Sequence, residues 1–264
     1  MKVYMVTDIE GVAGVVSFEQ QSYSEGRYNH AARKLLTAEI NAAVEGFLSE
    51  GVEEVLVNDS HGSGAVVFEE LHPRARLLSG VPRPPHSKMF EVISRYDVCV
   101  IVGQHAMAGA MDGNLNHTMS SKHVTSYVLN GKPIGETGVV ALTCGALGKP
   151  LIMVTGDEAA CREASELIPG ITAVAVKEGL ARNCAISVSM QQSHKMIRSG
   201  AAAAIRNHKK NPIAPLIWPG PYVFARTFFH TDTADAAQNM PGATRVDGLT
   251  VRLQSQNILD IIRW

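Results

Sequence analysis

The chain has 264 residues, of which 45% are hydrophobic and 19% charged, so it can bury a substantial core as one large domain or two small ones. Its 24 basic and 25 acidic residues nearly cancel, which argues against a nucleic-acid partner. No apolar run approaches the length of a membrane span, and the four scattered cysteines form no CxxC pair. We therefore expect a cytoplasmic protein with reduced thiols and no membrane partner.

Strand-like and helix-like segments alternate along most of the chain. The predicted strands are Val3–Val6, Val55–Asn58, Val98–Val102, Pro150–Thr155 and Ile171–Lys177. The predicted helices are His30–Glu50, Lys88–Arg95, Thr137–Leu147, Glu158–Ile168 and Val188–His208. This alternation predicts an α/β fold, with a mostly parallel sheet that is flanked by helices on both faces.

A β-hairpin interrupts the alternation. The segments Val124–Leu129 and Lys132–Ile134 flank Asn130-Gly131, and Asn-Gly is the strongest short turn signal. We expect this hairpin to be an antiparallel addition to the fold.

The last part of the chain follows a segment at 212–221 that contains four prolines. Beyond it, Tyr222–Phe229 and Leu249–Leu253 have the composition of strands. We expect one domain over residues 1–264, in which the part after the proline-rich segment could form a small β-containing subregion.

Carboxylate and histidine side chains follow the predicted strands. Asp8 and Glu10 come after the first strand, His61 after the second, His105 after the third, and Glu136 after the hairpin. Ligand sites of α/β proteins lie beyond the carboxyl ends of the parallel strands, so these residues are expected to converge. Imidazole with carboxylate, and no thiolate, suits zinc or a similar divalent ion in a hydrolytic role.

Each of these signals alone has an ordinary structural explanation. Acidic residues can end a strand in a solvated turn, the polar loop Asn58–His61 can cap the next element, and a lone histidine is more often structural than a ligand. The metal hypothesis depends on their coincidence. His117 lies in the polar loop Gly113–Thr118, where a proton-transfer group or a nucleophile would be well placed, although a surface histidine explains the same pattern.

Five short motifs contain these residues. They are Val6–Gly11, Val57–His61, Gly103–Ala106, Asn116–Thr118 and Ile134–Gly138. Taken together, and in this order along nearly the whole chain, they resemble the M55 peptidases, a family of D-aminopeptidases.

The resemblance implies a binuclear zinc site with two Zn²⁺ ions per subunit. Asp8 would bridge the two ions, and Glu10, His61, His105 and Glu136 would complete the ligand set. His117 stands where the family has its catalytic nucleophile. The resemblance also implies a homo-oligomer of stacked rings that encloses its active sites, a decamer in the best-known member.

The leading hypothesis is therefore a zinc-dependent aminopeptidase that hydrolyses short peptides, including peptides with N-terminal D-amino acids such as D-Ala. A binuclear metal phosphoesterase uses the same ligand types, but the site segments contain no Arg or Lys cluster to hold a phosphate. A non-catalytic metal- or ligand-binding protein on the same fold is the third alternative, because a fold does not determine function. Whether His117 attacks covalently or transfers protons is left open by the sequence.

Overall fold

The computed structural model describes residues 1–62 and 64–262. The strands are β1 Lys2–Thr7, β2 Glu54–Asp59, β3 Ala75–Leu78, β4 Val98–Gln104, β5 Val124–Leu129, β6 Lys132–Pro133, β7 Leu151–Asp157, β8 Thr172–Ala181, β9 Cys184–Ser187, β10 Tyr222–Phe228, β11 Ala243–Arg245 and β12 Thr250–Ser255. The α-helices are α1 Asn29–Ser49, α2 His86–Ile93, α3 Glu136–Ala146, α4 Glu158–Leu167, α5 Met190–Lys210 and α6 Thr231–Ala237. Within the described ranges, no helix combines the length and the apolar character needed to cross a bilayer.

Seven strands form the first sheet, in the order β3-β2-β1-β4-β7-β8-β9. All neighbouring strands are parallel except β9, which runs antiparallel to β8 at one edge. The predicted α/β fold with a mostly parallel sheet is confirmed.

Helices cover both faces of this sheet because side chains alternate along each strand. Val3 and Met5 of β1 are buried in the core beneath α1 and α5. Tyr4 and Val6 of the same strand are buried in a second core, against α2, α3 and α4. The strands are apolar on both faces, as expected for a parallel sheet between two helix layers.

The predicted antiparallel hairpin is confirmed, and it belongs to a second sheet instead of extending the parallel one. Strands β5 and β6 belong to a separate antiparallel sheet with the order β11-β12-β10-β5-β6. The two strand-like segments predicted after the proline-rich stretch supply β10 and β12. Strand β10 pairs with both β5 and β12, which joins the middle of the chain to its last part.

Helix α3 lies between the two sheets. Val140 and Cys144 on one side of the helix pack into the core of the parallel sheet, whereas Val139 and Leu142 pack against the antiparallel sheet. A helix with two packed faces is largely apolar around its circumference, and α3 is buried along most of its length. The position of its first residue, Glu136, is therefore fixed by both sheets.

The strand order reverses beside β1. From β1 the chain passes through α1 to β2 and then to β3 on one side, and α2 then leads back to β4 on the other side of β1. The helices α1 and α2 lie on opposite faces, so the loops after β1 and β4 separate at their carboxyl ends. Such a switch point is where open α/β sheets bind their ligands.

Candidate metal centre

The loops at this switch point bring together the residues that the sequence singled out. These are Asp8 and Glu10 after β1, His61 after β2, His105 after β4, His117 in the loop between β4 and β5, and Glu136 at the start of α3. Of these side chains, Asp8, Glu10, His105 and His117 are buried, and the other two are partly buried. One compact cluster thus contains every predicted site residue.

Two glycines allow the loops after β1 and β4 to touch. Gly103 has a φ of +84°, and a Cβ there would collide with the carbonyl oxygen of Asp8. The N–H of Gly11 donates to the carbonyl oxygen of Gly103 at 2.7 Å, and the N–H of Asp8 donates to that of Val102 at 2.9 Å. This close backbone approach sets the position of the Asp8 carboxylate relative to the loop that carries His105.

Asp8 offers one carboxylate oxygen to each of two groups of side chains. Its Oδ1 lies 2.9 Å from Nδ1 of His61, and this nitrogen lies 3.3 Å from Oε2 of Glu10. Its Oδ2 lies 3.0 Å from Nε2 of His105, which lies 3.2 Å from Oε1 of Glu136. Asp8 is therefore shared by two adjacent groups, each with two carboxylates and one imidazole, and in each group the ligand atoms lie within 4.8 Å of one another.

Backbone carbonyls orient the three histidines. His61 Nε2 lies 3.2 Å from the Ser22 oxygen, His105 Nδ1 lies 2.9 Å from the Ala106 oxygen, and His117 Nδ1 lies 3.0 Å from the Leu115 oxygen. A carbonyl can only accept, so we assign the proton to these ring nitrogens. The opposite nitrogen of each ring then faces the carboxylates, and it can bind a metal once it has lost its proton, as in histidines that bind metals.

Three atoms at the centre of the cluster are buried and, among the described residues, make no well-directed hydrogen bond although charged neighbours lie 3.0–3.3 Å away: Asp8 Oδ2, Glu10 Oε2 and His105 Nε2. A buried polar atom without a partner costs about 1–3 kcal/mol, and more if it is charged. A cation between these atoms would satisfy all three. Nitrogen and carboxylate oxygen in groups of three match the donor set of zinc, so the residues fit a metal centre.

Mutual attraction between the imidazoles and the carboxylates shifts their protonation. Burial alone would lower the pKa of His61 and His105, but the adjacent carboxylates raise both well above the usual value. Burial alone would raise the pKa of Glu10 and Glu136, but the histidines hold both below their usual value. A divalent ion must therefore displace protons from the two imidazoles, which makes its affinity depend on pH.

His117 is stacked on His105, with ring centroids 3.8 Å apart and planes inclined by 17°. Its Nε2 lies 3.9 Å from Oε1 of Glu136, beyond hydrogen-bond length. Burial, together with the positive potential of His105, lowers the pKa of His117. A neutral ring with an available Nε2 suits a base or a nucleophile. His117 also forms a third group with Glu10 and His105, so the geometry allows it to be a ligand as well.

Lys177 on β8 is a site residue that the sequence argument missed. Its buried ammonium donates to the Val15 carbonyl at 2.6 Å, to Asn114 Oδ1 at 2.8 Å, and also to the Glu10 carbonyl. Burial lowers its pKa to about 8. Lys177 thereby links the loop of Glu10 to the loop of His117. A lysine at the end of an apolar strand was the available signal.

A cavity of about 490 Å³ opens above the centre. Its lining includes Asp8, Glu10 and Glu136 together with His61 and His117. The remaining walls come from the start of α1, the segment before it, and the loops after β2 and before β5. The cluster is therefore open to a small molecule, as a catalytic site must be.

Comparisons with known proteins agree with this description. Residues 1–264 match the model of the M55 peptidase family, which is described as D-aminopeptidase. The chain is 32% identical over 267 residues to a D-aminopeptidase of Bacillus subtilis strain 168, covering 98% of this chain and 93% of that protein. A solved structure, described as the Zn-dependent D-aminopeptidase DppA from Bacillus subtilis, a self-compartmentalizing protease, is similar with a TM-score of 0.88, at 32% identity and the same coverage of both chains. The resemblance drawn from the five motifs is confirmed.

Proposed function

The chain belongs to the M55 peptidase family, and on this premise we propose that it is a zinc-dependent aminopeptidase that hydrolyses short peptides with an N-terminal D-amino acid. The likeness to a Zn-dependent D-aminopeptidase over 98% of the chain supports both the reaction and the metal. The preference for D-residues rests on this membership. The phosphoesterase alternative is not favoured.

The observation that carries the proposal is the division of the Asp8 carboxylate between two groups of ligands. Asp8, Glu10 and His61 would hold one Zn²⁺, and Asp8, His105 and Glu136 would hold the second. Zinc in such a site polarises a carbonyl and lowers the pKa of a water molecule. We propose two ions per subunit because both oxygens of Asp8 face a complete group.

The catalytic side chain in this proposal is His117. Peptide hydrolysis requires that a proton reach the leaving amine, and His117 lines the cavity while its Nδ1 donates to the Leu115 carbonyl. Stacking on His105 restricts the ring to one orientation. Neutral at pH 7, His117 can take up a proton or attack the carbonyl, and either role requires a free Nε2.

We further propose that the subunits assemble into a closed homo-oligomer, a decamer of stacked rings, that admits only short peptides. The description of the Bacillus subtilis relative as self-compartmentalizing supports this. Met111 is 93% exposed and Ile217 is 68% exposed, so both are available for contacts between subunits. The whole chain acts as one domain in this proposal, since β5 and β10 share a sheet. Four free cysteines support a reducing location, the cytoplasm.

The test is hydrolysis by the zinc-loaded protein of D-alanyl and L-alanyl p-nitroanilides. We expect cleavage of the D-alanyl compound, loss of that activity with a chelator, and its return with Zn²⁺. N-acetyl-D-alanyl p-nitroanilide, which lacks the free amine, and p-nitrophenyl phosphate are the controls and should remain intact. Cleavage of the acetylated compound at the same rate, or full activity after confirmed removal of zinc, would contradict the proposal.

A further inference from the structure

The cavity above the metal centre also contains charged residues with no role in holding zinc. Its lining includes Arg33, Lys122 and Glu25 in addition to the carboxylates of the centre. The three carboxylates of the centre are outweighed by two divalent ions when these are bound. The two basic side chains outnumber Glu25, so the zinc-loaded cavity is positively charged and attracts an anionic group.

Arg33 reaches the cavity from helix α1. Its Nη2 donates to the Val66 carbonyl at 3.1 Å, and its Nε is buried without a hydrogen-bond partner among the described residues. Arg33 makes no ion pair with any carboxylate in the described part of the chain. The next residue, Lys34, lies outside the cavity and is paired with Glu70 at 2.6 Å. The guanidinium of Arg33 thus combines a positive charge, a rigid support and unused donors.

Lys122 reaches the same cavity from the loop before β5. Its Nζ lies 3.9 Å from the ring centroid of Tyr23, whose hydroxyl lies 2.9 Å from Ser121 Oγ. Glu25 is the acidic residue near it, and both side chains are exposed, so their attraction is weak. The stacking on Tyr23 holds the ammonium at the wall of the cavity.

The metal centre and the two basic side chains line one cavity. Two residues in extended conformation span about 7 Å, so the carboxylate of a dipeptide lies one residue beyond its scissile bond. With that bond at the metal centre, the carboxylate remains in the same cavity as Arg33 and Lys122. A guanidinium binds a carboxylate through two parallel hydrogen bonds, which gives both affinity and orientation.

We propose that Arg33, assisted by Lys122, binds the C-terminal carboxylate of a short substrate peptide and so favours peptides whose C-terminus is free. This inference rests on the proposed aminopeptidase function. It assigns to the two residues a role in specificity, through contact with the part of the peptide that does not react.

The experiment compares D-Ala-D-Ala with its C-terminal amide, which has the same scissile bond and no negative charge. We expect the zinc-loaded protein to have a kcat/KM for the acid at least tenfold above that for the amide. In Arg33→Gln, KM for the acid should rise about tenfold or more, and the ratio of acid to amide should approach one. Arg33→Lys keeps the charge without the planar fork and should retain an intermediate ratio. Lys122→Gln should lower the ratio less, since Lys122 is exposed.

Lys34→Gln is the matched control, because it removes a positive charge from the adjacent position outside the cavity and should leave the ratio unchanged. Calorimetric binding of D-Ala-D-Ala to chelator-treated protein provides a measurement without turnover, and Arg33→Gln should weaken this binding by a similar factor. Equal use of acid and amide by the unmodified protein, or an equal loss on both in Arg33→Gln, would overturn the inference while the aminopeptidase function stands. If neither compound is hydrolysed, the proposed function fails, and the calorimetric comparison still decides whether Arg33 binds the carboxylate.

Discussion

Replacement of Asp8 by Asn should remove metal from both halves of the centre at once. Each half has three protein ligands, and Asp8 is the one they share, through Oδ1 in one group and Oδ2 in the other. The substitution leaves two ligands in each half and removes the charge that offsets two divalent ions. Asparagine has nearly the same size and can still accept from the N–H of Ile9, as Asp8 Oδ1 does at 2.9 Å. The fold should therefore persist.

The expected magnitude follows from the number of ligands lost. Loss of a residue that only orients a ligand typically weakens metal binding about 10–100-fold, and loss of a ligand should cost at least as much. Because Asp8→Asn removes one ligand from both groups, both ions should bind at least 100-fold more weakly. Glu136→Gln removes a ligand from one group only, so one ion should remain at its normal affinity.

The assay is zinc titration against a chromophoric chelator, followed by elemental analysis of protein equilibrated at a fixed free zinc concentration. We expect two ions per subunit in the unmodified protein, one in Glu136→Gln, and fewer than one in Asp8→Asn. Circular dichroism should show that both variants keep their secondary structure. Two tightly bound ions in Asp8→Asn would refute the shared-ligand geometry. The same conclusion would follow if Glu136→Gln lost both ions while Asp8→Asn retained one.

Three further variants test His117, Lys177 and Glu39, a buried residue of α1 that accepts from the N–H of Ala13 at 3.1 Å. His117→Ala should keep its zinc content but lose about 10²-fold or more in kcat, whereas parallel loss of zinc and activity would make His117 a ligand. Lys177→Met leaves the acceptors at Glu10, Val15 and Asn114 unsatisfied, so urea unfolding should show a loss of about 3 kcal/mol or more, and unchanged stability would contradict this. Burial raises the pKa of Glu39 to about 7, above its value in the unfolded chain, so the folded state holds the proton more tightly. Protonation of Glu39 therefore stabilises the fold at acidic pH, and this stabilisation is lost as pH rises through 7. With chelator present, the unfolding free energy of Glu39→Gln minus that of the unmodified protein should therefore increase by roughly 3 kcal/mol between pH 5 and pH 8.5. A difference that does not change with pH would exclude this titration.

The sequence by itself determined the parallel sheet and the location of the site within it. Apolar runs such as Val98–Val102 are long enough to identify central strands without tertiary information, and Ala- and Leu-rich segments between them identify the crossover helices. Because side chains that follow parallel strands must meet at one edge, Asp8, His61 and His105 could be placed together from their sequence positions alone. Local pattern is sufficient wherever an element is long and buried.

Only the tertiary structure decided which short segments form strands and which strands pair when they are far apart in sequence. The unpredicted strands β3, β9 and β11 have three or four residues and each lies at the edge of its sheet, where one neighbour and a half-exposed surface leave no continuous apolar run. The partners of the hairpin were also outside the reach of local pattern, since β5 pairs with β10 about a hundred residues later.

The same reason applies to the site. Its decisive contacts join residues that are distant in sequence. Asp8 gives one oxygen to each group of ligands, and Lys177 links the loop of Glu10 to that of His117. Arg33 has no carboxylate partner among the described residues. Residue type and spacing specify which groups can bind a metal. Packing of the two sheets around α3, and the close contact of two glycine loops, specify the distances at which they do so.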